Sequence, residues 1–388
     1  MPTGLEQIRA TRAAERKKKR KWKIMMVVIF AVLAVVYLCV RGRGLVPYNP
    51  VFVGKSLMAF FRYRFTLLTT SADLKSQMAS QLQNEIMAEL GSGYAAVVSK
   101  LSNLLLMFVA GAVLALSGTV YQTAMRNPMA VPTMLGVSSG VQMAQMILIL
   151  LYAEEAYNMA KERYLLSYGI SIGVLLVIMG ASKIVGGKRF NVADLLIVGT
   201  IVNRLFNTIM NYVRSNMDTD TLTLYQEFSQ NSQDYFDSFQ DLGILVLVSV
   251  IAVVPLLLMR FSYNMVSFED DDAYSVGIKS NFMRFYGIFA GGVLTATAMI
   301  HAGNVGMLAT VVPLMCRYIY GADFRDLLWT SAVWGGIILM CSNLVRSFTY
   351  INEYQIPLGN IISLLAVPLL IWIIRKQKSI FTSMERQS

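Results

Sequence analysis

The stretch GAVLALSGTVYQTAMRNPMAVPTMLGVSSG, Gly111–Gly140, decides how the rest of the chain is read. It opens as an apolar run rich in small residues and breaks at a polar turn holding Arg126, Asn127, Pro128 and Pro132. A second run, rich in glycine and serine, follows at once. Small side chains let helices approach closely, and prolines end helices or start them. The pattern is one closely packed apolar helix handing over to another through a short polar turn.

Working outward, apolar runs long enough to cross a bilayer recur along the chain. They fall at about 24–40, 103–122, 131–152, 165–182, 193–213, 242–260, 284–300, 303–319, 327–345 and 357–374. The composition agrees: 55% of residues are apolar, 15% are charged, and the mean hydropathy is +0.53. An ordinary soluble domain carries about 25% charged residues. A soluble enzyme, a disordered chain and a disulfide scaffold are therefore excluded. The net charge of +11 does not imply nucleic acid, because much of the excess precedes Ile24, in RAAERKKKRKWK. Arg41, Gly42 and Arg43 follow the first run where a signal peptide would carry a small-residue cleavage site, so that run is expected to be retained. Cys39, Cys316 and Cys341 all sit in apolar surroundings and read as small packing residues.

Ten spans place both termini on one side, and the positive-inside rule makes that side cytoplasmic. The basic N-terminus, Arg126, Lys183, Lys188, Arg260, Arg317, Arg325 and Arg375 all fall there, against Lys161, Arg163, Arg214 and Arg346 in the short outer loops. The expected organisation is a basic cytoplasmic segment over 1–23, a transmembrane domain over 24–376 and a cytoplasmic tail over 377–388. Two outer insertions, about 41–99 and 214–240, are too long to be simple turns. The first is expected to hold an amphipathic helix near Ala72–Leu90; the second is acidic and amide-rich. Each reads either as a cap over the outer mouth or as a tolerated insertion.

Thr200, Asn203, Asn207 and Asn211 recur at helical spacing in the fifth span, with Arg204 and Thr208 alongside. They share one helix face, and an intramembrane arginine favours protein or a water-filled cavity over lipid. This face is the expected translocation route. Interhelical hydrogen bonding is the competing role for the asparagines. No carboxylate lies inside a span, and Asp194 and Asp241 stand at span edges. His301, the sole histidine, is the one candidate for a proton relay, against a purely structural role.

Gly111–Gly140 resembles the corresponding stretch of the FecCD-type permeases of ABC importers for iron–siderophores, haem and cobalamin, with Val131 in place of their usual aspartate. The resemblance continues in AGNVGMLATVVPLMCRYIYGADFRDLL, Ala302–Leu328, where Gly306, Pro313, Arg317 and Asp323 are kept. It returns in IPLGNIISLLAVPLLIWIIRK, Ile356–Lys376, through Pro357, Gly359 and Pro368. It covers roughly residues 100–376. Arg126, Asn127, Pro128, Gly136, Gly306, Pro313, Pro357, Gly359 and Pro368 are its structural motif residues.

The resemblance implies an all-α polytopic fold of the type II importer class, with about ten helices and inverted repeats. A faint echo of such repeats is visible in GAVLAL at Gly111–Leu116 against GGVLTA at Gly291–Ala296. It also implies that SFEDDDAYSVGI, Ser267–Ile278, is a coupling helix docking into an ATPase subunit, through Asp270, Asp271, Asp272, Ala273, Ser275 and Gly277. Lys100 and Arg346 match family arginines that meet carboxylates of an extracellular binding lipoprotein, and snorkelling interface residues are the alternative for both.

The chain lacks a motor of its own. A P-loop needs GxxxxGK[ST], but Val53-Gly54-Lys55-Ser56 has Asn49 at the first glycine position, and Gly186-Gly187-Lys188 is followed by Arg189. The expected function is therefore the permease subunit of an ATP-driven importer in the plasma membrane, not an enzyme, carrying a ferric siderophore inward. Haem and cobalamin are the alternative cargoes. Its expected partners are a second permease subunit, identical or related, two ATPase subunits that bind ATP-Mg, the binding lipoprotein and lipid. No resident metal or cofactor and no nucleic acid is expected. A secondary transporter would need a buried proton carrier, and an intramembrane enzyme would need paired ligands or a nucleophile with its base.

Overall fold

In the computed structural model the described residues are all but 1–3, 40–48, 70–74, 187–191, 231–238, 267–276, 352–353 and 386–388. The helices run α1 Gly4–Cys39, α2 Pro50–Thr69, α3 Lys75–Leu90, α4 Ser92–Ala124, α5 Val137–Tyr152, α6 Ala160–Gly186 and α7 Val192–Ser215. They continue α8 Thr219–Gln230, α9 Phe239–Leu258, α10 Arg260–Val266, α11 Ser280–Ala302, α12 Met307–Tyr320, α13 Phe324–Arg346 and α14 Leu358–Glu385. Short 3-10 turns occupy Pro132–Leu135 and Ala153–Asn158, and a two-residue antiparallel ladder joins β1 Tyr350–Ile351 to β2 Tyr354–Gln355.

Among the described residues eight helices are long and apolar enough to cross a membrane, and Met307–Tyr320 and Leu358–Pro368 add two shorter apolar ones. Every span expected from the sequence falls on one of these. The expected helix near Ala72–Leu90 is α3. Further helices were not expected: α2 in the first insertion, α8 in the second and the short α10 after the α9 span. The segment holding Asp270, Asp271, Asp272, Ala273 and Ser275 lies outside the described residues; Gly277, just after it, has φ 80°.

The chain forms two compact units, Met1–Leu106 with Asp237–Leu242, and Met107–Phe236 with Gly243–Ser388. In the first, α1 and the start of α4 are tied by Tyr37, whose hydroxyl donates to Asn103 Oδ1 at 2.7 Å. In the second, small residues set the packing. A Cβ on Gly118 of α4 would run into the carbonyl of Ala309 on α12, and one on Gly111 would lie 2.7 Å from Leu339 Cβ on α13. Ser117 donates to the Gly291 carbonyl of α11 at 2.7 Å, so the two glycine-rich helices meet face to face.

The turn after α4 has a defined geometry. Asn127 Oδ1 accepts from the Met129 N–H at 2.9 Å, Pro132 starts the 3-10 turn, and Gly136 takes φ 69° before α5 begins. Only glycine adopts that left-handed backbone without strain. The helix that follows Gly136 has 16 residues and the helix that follows Gly306 has 14. Each is the short second member of a four-helix series, α4–α7 and α11–α14.

Candidate functional site

The starts of three helices and the middle of α7 converge on a polar cavity of about 580 Å³. Ser138, Ser139 and Gln142 come from the first turns of α5, Asn203 and Asn207 from α7, and Thr310 from α12. Asn360 and Ser363 come from α14, and Asn304 and Gly306 from the link between α11 and α12. Helix starts bring unpaired backbone N–H groups to a surface, so polar side chains collect there without breaking an apolar run. Ser139 donates to Asn203 Oδ1, and Asn203 Nδ2 donates to the Thr133 carbonyl at 3.4 Å. Asn207 Nδ2 donates back to the Asn203 carbonyl at 2.8 Å. The α7 asparagines are thus held in place by the motif turn and still line the cavity.

The sequence periodicity placed six α7 residues on one face, and the structure divides them, leaving Thr208 exposed. Asn203 and Asn207 reach the cavity. Thr200, Arg204 and Asn211 are exposed on the neighbouring arc of the helix, where Ile201 and Leu205 are exposed as well. Thr200 Oγ1 bonds back to the Leu196 carbonyl at 2.7 Å.

A second cavity of about 370 Å³ shares Gln142, Asn304, Gly359 and Asn360 with the first and adds Arg214, Tyr225, Gln226 and Ser229. The last three belong to α8. Asp218 starts α8 by accepting from the Thr221 N–H at 3.0 Å, and that bond holds its carboxyl below the usual range. Tyr225 and Phe228 then anchor α8 in a core with Met146, Ile149 and Met210. Arg214 donates to Tyr225 Oη at 2.9 Å and lies over its ring, 5.1 Å from the centroid. The second insertion therefore forms part of a cavity wall. An Asp-x-x-Thr start followed by Leu224, Tyr225 and Phe228 was the signal that could have revealed this helix.

A cleft of about 570 Å³ gathers motif residues at the other end of α12. Arg317 donates from Nε to Gln122 Oε1 at 3.3 Å and from Nη2 to Thr123 Oγ1 at 3.0 Å. Arg126 Nε donates to the Val266 carbonyl at 2.8 Å, the last described residue before the acidic stretch. Asp323 caps α13, accepting from the Arg325 N–H at 3.0 Å, and its Oδ2 pairs with Arg325 Nη2 at 2.7 Å. Asn264 on α10 donates to Asp323 Oδ1 at 3.0 Å and accepts from the Phe324 N–H at 2.7 Å. The Arg325 bond, with Asn264 assisting, holds the Asp323 carboxyl well below the usual range. The cleft residues tie α10, on whose end the acidic stretch follows, to α4 and α13.

Of the remaining motif residues, Pro128 is exposed and Pro313 is buried inside α12. Gly306 packs against Thr133, with room for a Cβ only 2.8 Å from Thr133 Cγ2. Gly359 sits against the Asn304 backbone, just after Pro357. Pro368 lies inside α14. Lys100 is half-buried on α4, and Arg346 is 4% exposed, packed inside the chain rather than presented. His301 is fully buried, with Nδ1 2.8 Å from the Thr297 carbonyl and Nε2 3.2 Å from Tyr164 Oη. A carbonyl only accepts, so Nδ1 donates to Thr297, and the Tyr164 hydroxyl completes the ring's contacts at Nε2.

A multi-span helical bundle with a polar cavity among its helix starts has the architecture of a polytopic membrane protein with a polar interior. Residues 76–376 match the FecCD transport family, and the chain belongs to it. The match begins inside α3, earlier than the first residues of the resemblance seen in the sequence.

A protein of Helicobacter pylori described as an iron chelatin transport system permease is 25% identical over 281 residues, 72% of this chain and 82% of that one. The hemin transport system permease protein of Yersinia pestis is 28% identical over 282 residues, again 72% and 82%. The vitamin B12 import system permease protein of Photorhabdus laumondii is 27% identical over 271 residues, 68% and 76%. A solved chain described as a metal-chelate type ABC transporter in an inward-facing conformation has the same fold, with a TM-score of 0.69 at 19% identity. It covers 92% of this chain and 99% of its own.

Proposed function

We propose that this chain is the membrane-spanning permease subunit of an ATP-driven importer, and that its cargo is an iron chelate of the ferric siderophore kind. A second permease, identical or related, would complete the route. Two ATPase subunits would press on Ser267–Ile278 from the cytoplasm, where both termini also lie, and a lipoprotein would deliver cargo from outside. The observation that carries the reading is the lining of the paired cavities. Amides from Gln142, Asn203, Asn207, Asn304 and Asn360 and hydroxyls from Ser138, Ser139 and Ser363 line the space, with Arg214 as its cation. Such groups exchange hydrogen bonds with an oxygen-rich chelate, whereas the large apolar face of haem would leave them unpaired. Nucleotide binding would bias the permease between its states through contacts made differently in each.

The test is uptake into proteoliposomes holding the assembled permease, ATPase and binding protein, offered ferric chelates, haem or cobalamin. ATP-dependent accumulation of a ferric chelate is the expected outcome. Accumulation by this chain without an ATPase would overturn the reading, and ATP-dependent uptake of haem or cobalamin alone would change the cargo. Replacing Ala273 with tryptophan is expected to leave ATP hydrolysis running while uptake stops; wild-type uptake in that variant would contradict a coupling role for the acidic stretch.

A further inference from the structure

Helix α2 carries two faces that the transport reading leaves unused. Its inner face buries Val53, Ser56 and Phe60 within the first unit. At 100° per residue its outer face gathers Val51, Met58, Phe61 and Phe65 into an arc of about 80°. These side chains are 65%, 74%, 63% and 69% exposed. Lys55 and Arg62 border the arc on one side, and Arg64 lies beyond the other. Arg62 reaches Glu85 of α3 at 3.4 Å, and Arg64 lies over the Phe60 and Phe239 rings at 5.6 and 5.2 Å from their centroids.

The depth of α2 follows from what it touches in its own unit. Phe52 packs on Gly93, at the start of the α4 span, where a Cβ would lie 2.8 Å from its ring. Phe60 stacks at 5.0 Å on Phe239, the first residue of the α9 span. Tyr63 shares a cavity of about 440 Å³ with Tyr94, Ala95 and Val98 of the first turns of α4. Phe52, Phe60 and Tyr63 therefore meet the first residues of α4 and α9, while α2 also packs on α3 and touches α1. These contacts set this stretch of α2 beside the outer ends of the α4 and α9 spans.

We propose that α2 is an interfacial helix whose Val51–Met58–Phe61–Phe65 face sits in the head-group region of the bilayer, with Lys55, Arg62 and Arg64 meeting anionic phospholipid. An apolar arc edged by basic residues has the composition that binds such a surface, the basic residues adding attraction to anionic head groups. A water-facing cap would present this much apolar surface to solvent, and three cations leave a full transmembrane path costly. The helix would brace the outer ends of the α4 and α9 spans against the lipid.

The test uses the full chain in proteoliposomes containing phosphatidylglycerol, with Cys39, Cys316 and Cys341 replaced by serine. A bimane probe is placed at Met58→Cys, at Phe65→Cys or, as a water-facing reference, at Ser80→Cys on α3. The first two are expected to be quenched by nitroxides on lipid chains and to show roughly threefold weaker iodide quenching than Ser80→Cys. Equal iodide quenching at all three would overturn the proposal. So would probes at Met58 and Phe65 that neither quencher reaches, because that face would then be covered by a second copy or another protein. In vesicles of zwitterionic lipid alone, nitroxide quenching at Phe65→Cys is expected to fall, and Lys55→Gln with Arg62→Gln is expected to remove that difference. Equal quenching in the two lipids would overturn the anionic assignment.

Discussion

Arg317 on α12 and Gln122 on α4 meet at 3.3 Å, although they lie far apart in the chain, and both belong to the family's sequence motifs. Gln122 holds α12 at a second point as well, since its Nε2 donates to the Thr310 carbonyl at 3.2 Å. Thr310 lines the polar cavity and Arg317 lines the cleft, about 10 Å further along the helix. One glutamine thus fixes the register of a helix that joins the two sites. Hydrogen bonds to a charged group contribute about 1.5–3 kcal/mol when partly buried. Arg317→Met should therefore lower the free energy of unfolding in detergent by that order. Combined with Gln122→Leu, it should cost less than the two single changes added. Additivity within about 0.5 kcal/mol would show that the pair does not act together.

Gly118 and Gly173 separate close packing from helix propensity. A methyl group at Gly118 collides with the Ala309 carbonyl, whereas one at Gly173 meets nothing within 4 Å. Gly118→Ala should destabilise the protein by about 1–3 kcal/mol through overpacking. Gly173→Ala should stabilise it by up to about 1 kcal/mol, because glycine is a poor helix former. Thermal unfolding followed by loss of soluble oligomer in detergent measures both. Equal effects at the two positions would remove the packing argument.

Asp323 gives a pH dependence with a fixed sign. Its carboxyl is held below the ordinary range by Arg325 and Asn264, so the folded state binds a proton less readily than the unfolded one. Its contribution is complete above the unfolded value of about 3.9 and is lost as the pH falls below it toward the depressed folded value. Wild-type stability measured downward from pH 6 should therefore drop more steeply below pH 4 than that of Asp323→Asn. Asparagine keeps the cap and has no proton to gain; alanine should cost a further 0.5–2 kcal/mol, roughly the worth of a helix cap. Identical pH profiles for wild type and Asp323→Asn would contradict the assignment.

The spans were legible because an apolar run of bilayer length has few other fates. The α4 to α5 turn was legible for a different reason: Asn127, Pro132 and Gly136 each carry a specific backbone or turn role. Helix α2 escaped notice because Lys55, Arg62 and Arg64 interrupt its apolar run, and α8 because its apolar residues are spaced among amides and acids. The cavity was half visible. Periodicity along α7 supplies Asn203 and Asn207, but a wheel cannot say how far the helix is rotated, so it grouped Arg204 with them. Gln142, Asn304 and Asn360 come from separate helix starts, and nothing within any one segment says that they meet. Each lies close to a glycine, Gly140 and Gly359 in the first turns of α5 and α14 and Gly303 at the end of α11, and that pairing of an amide with a glycine near a helix terminus was the available signal.

The division of α7 between cavity and exposed arc can be measured directly. Asn207→Cys places a thiol on the cavity wall, where the neighbouring amides and hydroxyls can hold water. Leu205→Cys places one on the exposed apolar arc, where the native side chain is 59% exposed in the isolated chain. In the membrane such an apolar arc is expected to meet lipid or packed protein, and either excludes a charged reagent. With the native cysteines replaced by serine, a membrane-impermeant methanethiosulfonate should modify Asn207→Cys in the assembled importer and leave Leu205→Cys unmodified. Asn203→Cys should react as well, but it also removes the amide that Ser139 and Asn207 bond to, so a lower unfolding midpoint should accompany its reactivity. Arg204→Cys discriminates further. Reactivity equal to that of Asn207→Cys would extend the water-filled route onto the exposed arc, as the periodicity alone suggested. Failure of both asparagine positions to react in every nucleotide state would remove α7 from the route altogether.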